Sequence, residues 1–262
     1  TYHNNAKESL EYLWLQLDQN SSNQNSVTKK KSSSYMEDAI STKGFSKKYL
    51  EQPVDRGFNI MSVTDDKGKA LSYTINETMM RINLVEPLKH SAKMVFTIKW
   101  WYNINNYMVE GGRSGYEHFD KDGNNLYVLA QFFPRMAVYN DVEGWQNMQF
   151  WGSGEFALTF GNYEVNVTVP ADHIMNATGV LQNKEQVFTS AQLNRIALAE
   201  KSFDNPVVIV TQEEAEKAEK GFSTQKKTWR WKAENVRDFG ISTSRKFIFD
   251  AMAVKMGDRT VM

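Results

Sequence analysis

From position 162 to 170 the chain reads NYEVNVTVP, and the alternation is strict. Tyr163, Val165, Val167 and Val169 fall on one face of an extended strand, while Glu164, Asn166 and Thr168 fall on the other. A strand with one apolar and one polar face buries the first and wets the second, as in an antiparallel sheet covered on one side. The same period fits LSYTIN (71–76), MRINL (80–84), KMVFTIKWWYN (93–103), LYVLAQFF (126–133), EFALTF (155–160) and TWRWKAE (228–234). Short turn clusters separate these runs, among them Asp65-Asp66-Lys67-Gly68 and Phe160-Gly161-Asn162. The expected fold class is all-β, with antiparallel sheets.

Two stretches break the period. Val187, Ala191, Leu193, Ile196, Ala197 and Leu198 recur at helical spacings, which predicts an amphipathic helix over 183–202 in a long connection. Thr211 followed by Glu214 is a capping box for a short helix over 212–220, with Glu213–Lys217 and Glu216–Lys220 as supporting pairs. The polar run DQNSSNQNSVTKKKSSS at 18–34 reads as a mobile loop leaving the sheet, followed by a short helix at 35–40.

Composition narrows the function classes. The chain has 262 residues, enough for one large domain or two small ones, and 41 % of them are apolar, a globular composition. Lys+Arg and Asp+Glu both number 31, so no net field gathers phosphates, and nucleic acid is not an expected partner. There is no cysteine, which removes disulfides and thiolate metal sites and fits either the cytosol or export. No window approaches the ~18 apolar residues of a membrane span. The opening TYHNNAKESL has neither an initiator Met nor a signal-like apolar core, so the chain is expected to be trimmed from something longer.

Motifs for self-contained chemistry fare poorly. Zinc hydrolysis of the H-E-x-x-H type needs two imidazoles one helical turn apart with a Glu between them, but His3, His90, His118 and His173 are all isolated. GGRSG at 111–115 lacks the P-loop spacing and reads as an inter-strand loop. In DKDGNN at 120–125 the glycine falls at the fourth position instead of the sixth, and Gln131 stands where a calcium loop needs Glu, so a hairpin turn is expected. Asp141, Glu143 and Glu155, near Trp145 and Trp151, are candidate paired carboxylates that read more simply as solvated strand ends. The Asn-x-[ST] matches at Asn20, Asn76, Asn166 and Asn176 carry no weight in an Asn-rich chain. In LAQFFPRMAVYNDVEGW (129–145), Gln131 interrupts an apolar strand just before Pro134. Such an amide either satisfies backbone at a strand end or faces a ligand, and both readings stand at this point.

Read together, TYHNNAKESLEYLWLQLDQN, FTIKWWYNI, GGRSGYE, LAQFFPRMAVYNDVEGWQ, GEFALTFGNYEVNVTVPADHIMNATGVLQN and WRWKAENVRDFGISTSRKFIFDAM resemble the amino-terminal domain of bacterial zinc metallopeptidases of the aminopeptidase N and leukotriene hydrolase type. The resemblance runs over almost the whole chain. Segment 129–145, GNYEVNVTVPADHIMNATG and ENVRDFGIS are its most specific parts.

The resemblance implies a single all-β domain over 1–262, a saddle-like antiparallel sandwich with one or two short helices in its connections. Such a domain packs on a thermolysin-like catalytic domain, forms one wall of its substrate cleft and is inactive alone; residues 241–262 would lead towards that partner. Zinc would sit in the parent enzyme on ligands outside this chain, peptides would be the substrate, and the compartment would be periplasmic or exported. At least one strand would precede the first residue, leaving an unpaired edge. In the family a T-Q-x-[EQ] pattern aims polar side chains at the substrate's free amino terminus. Here the match is Ala130-Gln131-Phe132-Phe133, so Gln131 takes the first polar position, and Phe133 replaces the second, offering at most a cation–π contact. A stand-alone β-sandwich module binding carbohydrate or protein, and a two-carboxylate hydrolase, are the readings from other classes.

Overall fold

The computed structural model describes residues 1–27, 30, 38–46, 50, 54–112, 114–151 and 157–262. Antiparallel strands dominate, and every helix among the described residues is short, so the fold class is the expected one. The chain divides into two compact units, one of Thr1–Asn105 with Gln131–Thr159 and the other of Asn106–Ala130 with Phe160–Met262.

The first unit is built on a four-stranded sheet in the order Arg135–Met136, Leu10–Gln16, Met79–Leu88, Tyr73–Asn76. A register shift between Leu10 and Tyr12 lets Leu10, Leu13 and Leu15 all turn inward. Beside this sheet the strands Asn59–Asp65 and Phe96–Trp101 pair with each other, and Leu15, Leu17, Phe58, Val63, Leu71, Met80 and Ile82 form the core. The polar run expected to be a mobile loop begins instead as a tied 3-10 turn over Asp18–Ser22. Asn20 donates to the Glu77 carbonyl at 2.9 Å and accepts from the Phe58 amide at 2.8 Å, so its side chain serves a buried backbone that has no strand partner there. Of the helix predicted at 35–40, residues 35–37 lie outside the described residues, as does part of the loop before it, and residues 38–40 are not helical.

The second unit holds the alternating strand. Gly161–Pro170 pairs with Lys226–Val236 so that Val165 faces Trp231 and Val167 faces Trp229. Tyr163, Val165, Val167 and Val169 are half-buried and Glu164, Asn166 and Thr168 exposed, as the period requires. Trp229 and Trp231 are buried with parallel rings 6.4 Å apart, so they fill the interior and offer no stacking surface. A second sheet runs in the order Ile174–Ala177, Ile241–Ser244, Asn124–Leu129, Gly115–Phe119. The last two strands form the hairpin expected at DKDGNN. Its Asp122 accepts from the Asn124 amide at 3.0 Å and pairs with Lys246, a turn and not a calcium loop.

Several boundaries differ from expectation. The helix over 183–202 is two helices, Lys184–Val187 and Ser190–Ala199, because Thr189 and Gln192 cap each other and start a new helix in mid-run. The helix Gln212–Glu219 keeps its capping box, but Glu214 pairs with Arg195 at 2.7 Å and Glu216 accepts from Gln212; neither expected lysine pair forms among the described residues. The strand expected at 155–160 is absent from 157–160 and its first two residues lie outside the described set; the ladder starts at Gly161.

Gly179 joins Ile174–Ala177 to Val180–Leu181 at φ +93, and a Cβ there would strike the Lys232 carbonyl oxygen. Gly68 has φ +80 with nothing nearby. Gly179→Ala should therefore cost about 2–5 kcal/mol and Gly68→Ala about 1 kcal/mol. Denaturant unfolding of the two variants checks the contrast.

Candidate functional site

The Asn124–Leu129 strand ends for a local reason. The Ser114 hydroxyl accepts from the Ala130 amide at 3.0 Å and donates to the Ala130 carbonyl at 2.9 Å, replacing a backbone neighbour and closing the ladder. Gln131 then adopts φ 56, the left-handed region that a non-glycine residue enters at a cost of about 1–2 kcal/mol. Pro134 holds Phe133 to extended backbone. This corrects the strand expected over 126–133: Gln131 and Phe133 lie beyond its end, so period two does not put them on one face. Gln131 is half-buried, and its carboxamide has no hydrogen-bond partner among the described residues. Phe133 is half-buried beside Phe132, the rings edge to face at 5.1 Å.

Four residues on, the segment is locked down. Arg135 Nε donates to Asp18 Oδ2 at 3.2 Å, and both side chains of this ion pair are nearly inaccessible, at 2 % and 3 %. Arg135 and Met136 pair with Gln16 and Leu15, and the Ala137 amide donates to the Trp14 carbonyl at 3.0 Å. The strained residue is thus followed at once by an anchored one. Sequence reasoning passed over Arg135, although a basic residue directly after an apolar strand and a proline was the available signal.

The residues present do not fit a zinc ion. His3 and His90 bond to the Ser91 and Ala6 carbonyls, and His118 bonds to Asn125. His173 bonds to Thr243, and burial, with Arg245 adding to it, holds it down to about 4 and so neutral. No group of three or more His, Cys, Asp or Glu able to hold a metal occurs among the described residues. No helix of the described residues is long and apolar enough to cross a membrane.

The other candidates do not assemble. Asp141 and Glu143 are exposed on the turn between Tyr139–Asn140 and Gly144–Trp145, and Glu155 lies outside the described residues. Trp145 packs on Tyr139 at 5.3 Å and on Tyr2 at 6.0 Å. Trp100 and Trp101 are 36 % and 51 % exposed, but as neighbours on one strand they point to opposite faces and cannot form one stacking platform.

No family model and no curated protein sequence matches the chain. The chain is similar to M1 zinc metallopeptidases. To the M1 zinc metallopeptidase from Deinococcus radiodurans it is 12 % identical with a TM-score of 0.46, the likeness covering 98 % of this chain and 39 % of that one. A mutant of that enzyme bound to a Tyr-Ser-Ala substrate gives 12 % and 0.44, again over 98 % of this chain and 39 % of that one. A two-domain M1 mutant bound to L-tryptophan gives 12 % and 0.45 over 98 % and 40 %. The chain spans about 40 % of the length of these structures.

Two variants test the geometry. Asp18→Asn removes the buried carboxylate that Arg135 faces and should cost about 3–5 kcal/mol, while the joint change Asp18→Leu with Arg135→Met should recover much of the loss. Gln131→Gly should raise stability by roughly 0.5–1 kcal/mol, because glycine enters the left-handed region freely. Thermal and denaturant midpoints decide both.

Proposed function

We propose that this chain is the non-catalytic amino-terminal β domain of an exported bacterial zinc metallopeptidase of the aminopeptidase type. It forms one wall of a substrate cleft completed by a catalytic domain that carries the zinc. The reading rests on the motif resemblance and on one observation that agrees with it. Gln131, at the family's polar position, keeps an amide with no hydrogen-bond partner among the described residues on a left-handed backbone. Strain of this kind persists where a side chain is held for a ligand. A carboxamide oxygen accepts a hydrogen bond from a peptide's terminal ammonium, and Phe133 beside it supplies an apolar wall in place of a second acceptor.

The test is made in the enzyme that contains this domain. A hydrogen bond to a charged group contributes about 1.5–3 kcal/mol, so Gln131→Ala should lower kcat/KM for peptides with a free amino terminus roughly 10- to 100-fold. Nα-acetylated peptides should show no such change. Equal losses for both substrates, or none, would remove Gln131 from the cleft.

A further inference from the structure

The second unit contains a cavity of ≈ 270 Å³ between its helices and its long sheet, distinct from the segment around Gln131. Its apolar wall includes Ile174, Val187, Val210 and Ala215. Four charged side chains reach it: Asp172, Glu214, Lys227 and Arg245. Three of them are matched, since Arg245 lies 2.8 Å from Asp172 and Glu214 lies 2.7 Å from Arg195. Lys227 is left over. Its Nζ donates to the Val187 carbonyl at 3.2 Å and stands 5.0 Å from the centre of the Trp229 ring, and no carboxylate among the described residues pairs with it. An ammonium has three donors, and two of these lack an acceptor among the described residues.

We propose that this cavity binds a small monocarboxylate with a short branched apolar body, its carboxylate on Lys227 Nζ and its body against Ile174, Val187, Val210 and Ala215. With Asp172 matched by Arg245 and Glu214 by Arg195, Lys227 is the one cation in excess among the described residues of the walls, which calls for one negative charge. The volume lies just below the range of about 300–1,000 Å³ usual for small-molecule sites, which limits the ligand to a few carbons. Burial draws the Lys227 ammonium down to about 8, only partly offset by Asp172. A bound carboxylate supplies the counter-charge that favours its protonated form. A dicarboxylate would place its second charge against Glu214 or Asp172, and an amine would meet Lys227 with like charge, so both are excluded by the walls. The site requires no catalytic partner, and its test is independent of the cleft reading.

The probe is 3-methylbutanoate, titrated into the whole chain at constant ionic strength and followed by protein-observed NMR. Formate serves as the charge without the body, and 3-methylbutan-1-ol as the body without the charge. Saturable one-to-one binding of 3-methylbutanoate is expected, at about millimolar Kd for so few atoms, with both controls at least about 10-fold weaker. Lys227→Met, which keeps the apolar stem, should weaken the carboxylate at least about 10-fold, a loss of about 1.4 kcal/mol. Ala215→Leu should fill the cavity and abolish binding. Failure of 3-methylbutanoate to saturate, equal binding of the alcohol, or undiminished binding by either folded variant would overturn the proposal. Should Lys227→Met not fold, the wild-type comparison and Ala215→Leu decide it.

Discussion

A charged pair with almost no access to water fixes the first unit. Arg135 and Asp18 are separated by 117 residues in the chain, and neither could be buried alone. Desolvating two ions costs several kcal/mol each, so the pair adds little net stability against an apolar replacement. What it does is exclude alternatives, since any packing that parts the two leaves a bare charge inside. The returning segment of the chain is therefore held in one register, with Arg135 opposite Gln16 and Met136 opposite Leu15. Gln131 lies only four residues before that anchor, in the left-handed region at φ 56.

The sheet was legible wherever one face is buried and the other wet. NYEVNVTVP and TWRWKAE keep their period because every second side chain meets the core, and Val167 opposite Trp229 is the kind of cross-strand pair that such a pattern specifies. Turns such as Asp65–Gly68 and the DKDGNN hairpin were legible because their chemistry is local. The helix break at Thr189 was also written locally, as a capping box, but the apolar spacing runs straight through it and conceals it.

What could not be read depends on contacts distant in sequence. The end of the strand before Gln131 is set by a serine hydroxyl 16 residues away. The burial of Asp18 is set by Arg135, and Asn20 is recruited to serve the Phe58 and Glu77 backbone. A polar run that reads as solvated loop thus supplies interior bonds. The cleft role proposed for Gln131 came only through resemblance; its left-handed backbone, and an amide without a hydrogen-bond partner among the described residues, required coordinates. Lys227 gave no sign at all, because it stands just before the strand read at 228–234 and nothing in the sequence places helices over its side chain.

On the proposed reading the domain shapes access to chemistry performed elsewhere. Among the described residues its imidazoles are engaged by backbone carbonyls, by Asn125 and Thr243 and, for His118, by Asp120 at 3.7 Å, and Asp172 and Asp122 are paired with cations. The most direct measurement is zinc content and peptide hydrolysis of this 262-residue chain beside those of a longer protein that includes the coding sequence after it. The account predicts neither zinc nor hydrolysis for the chain alone, and both for the longer protein. Stoichiometric zinc or hydrolysis in the chain alone, or a longer protein lacking both, would contradict it.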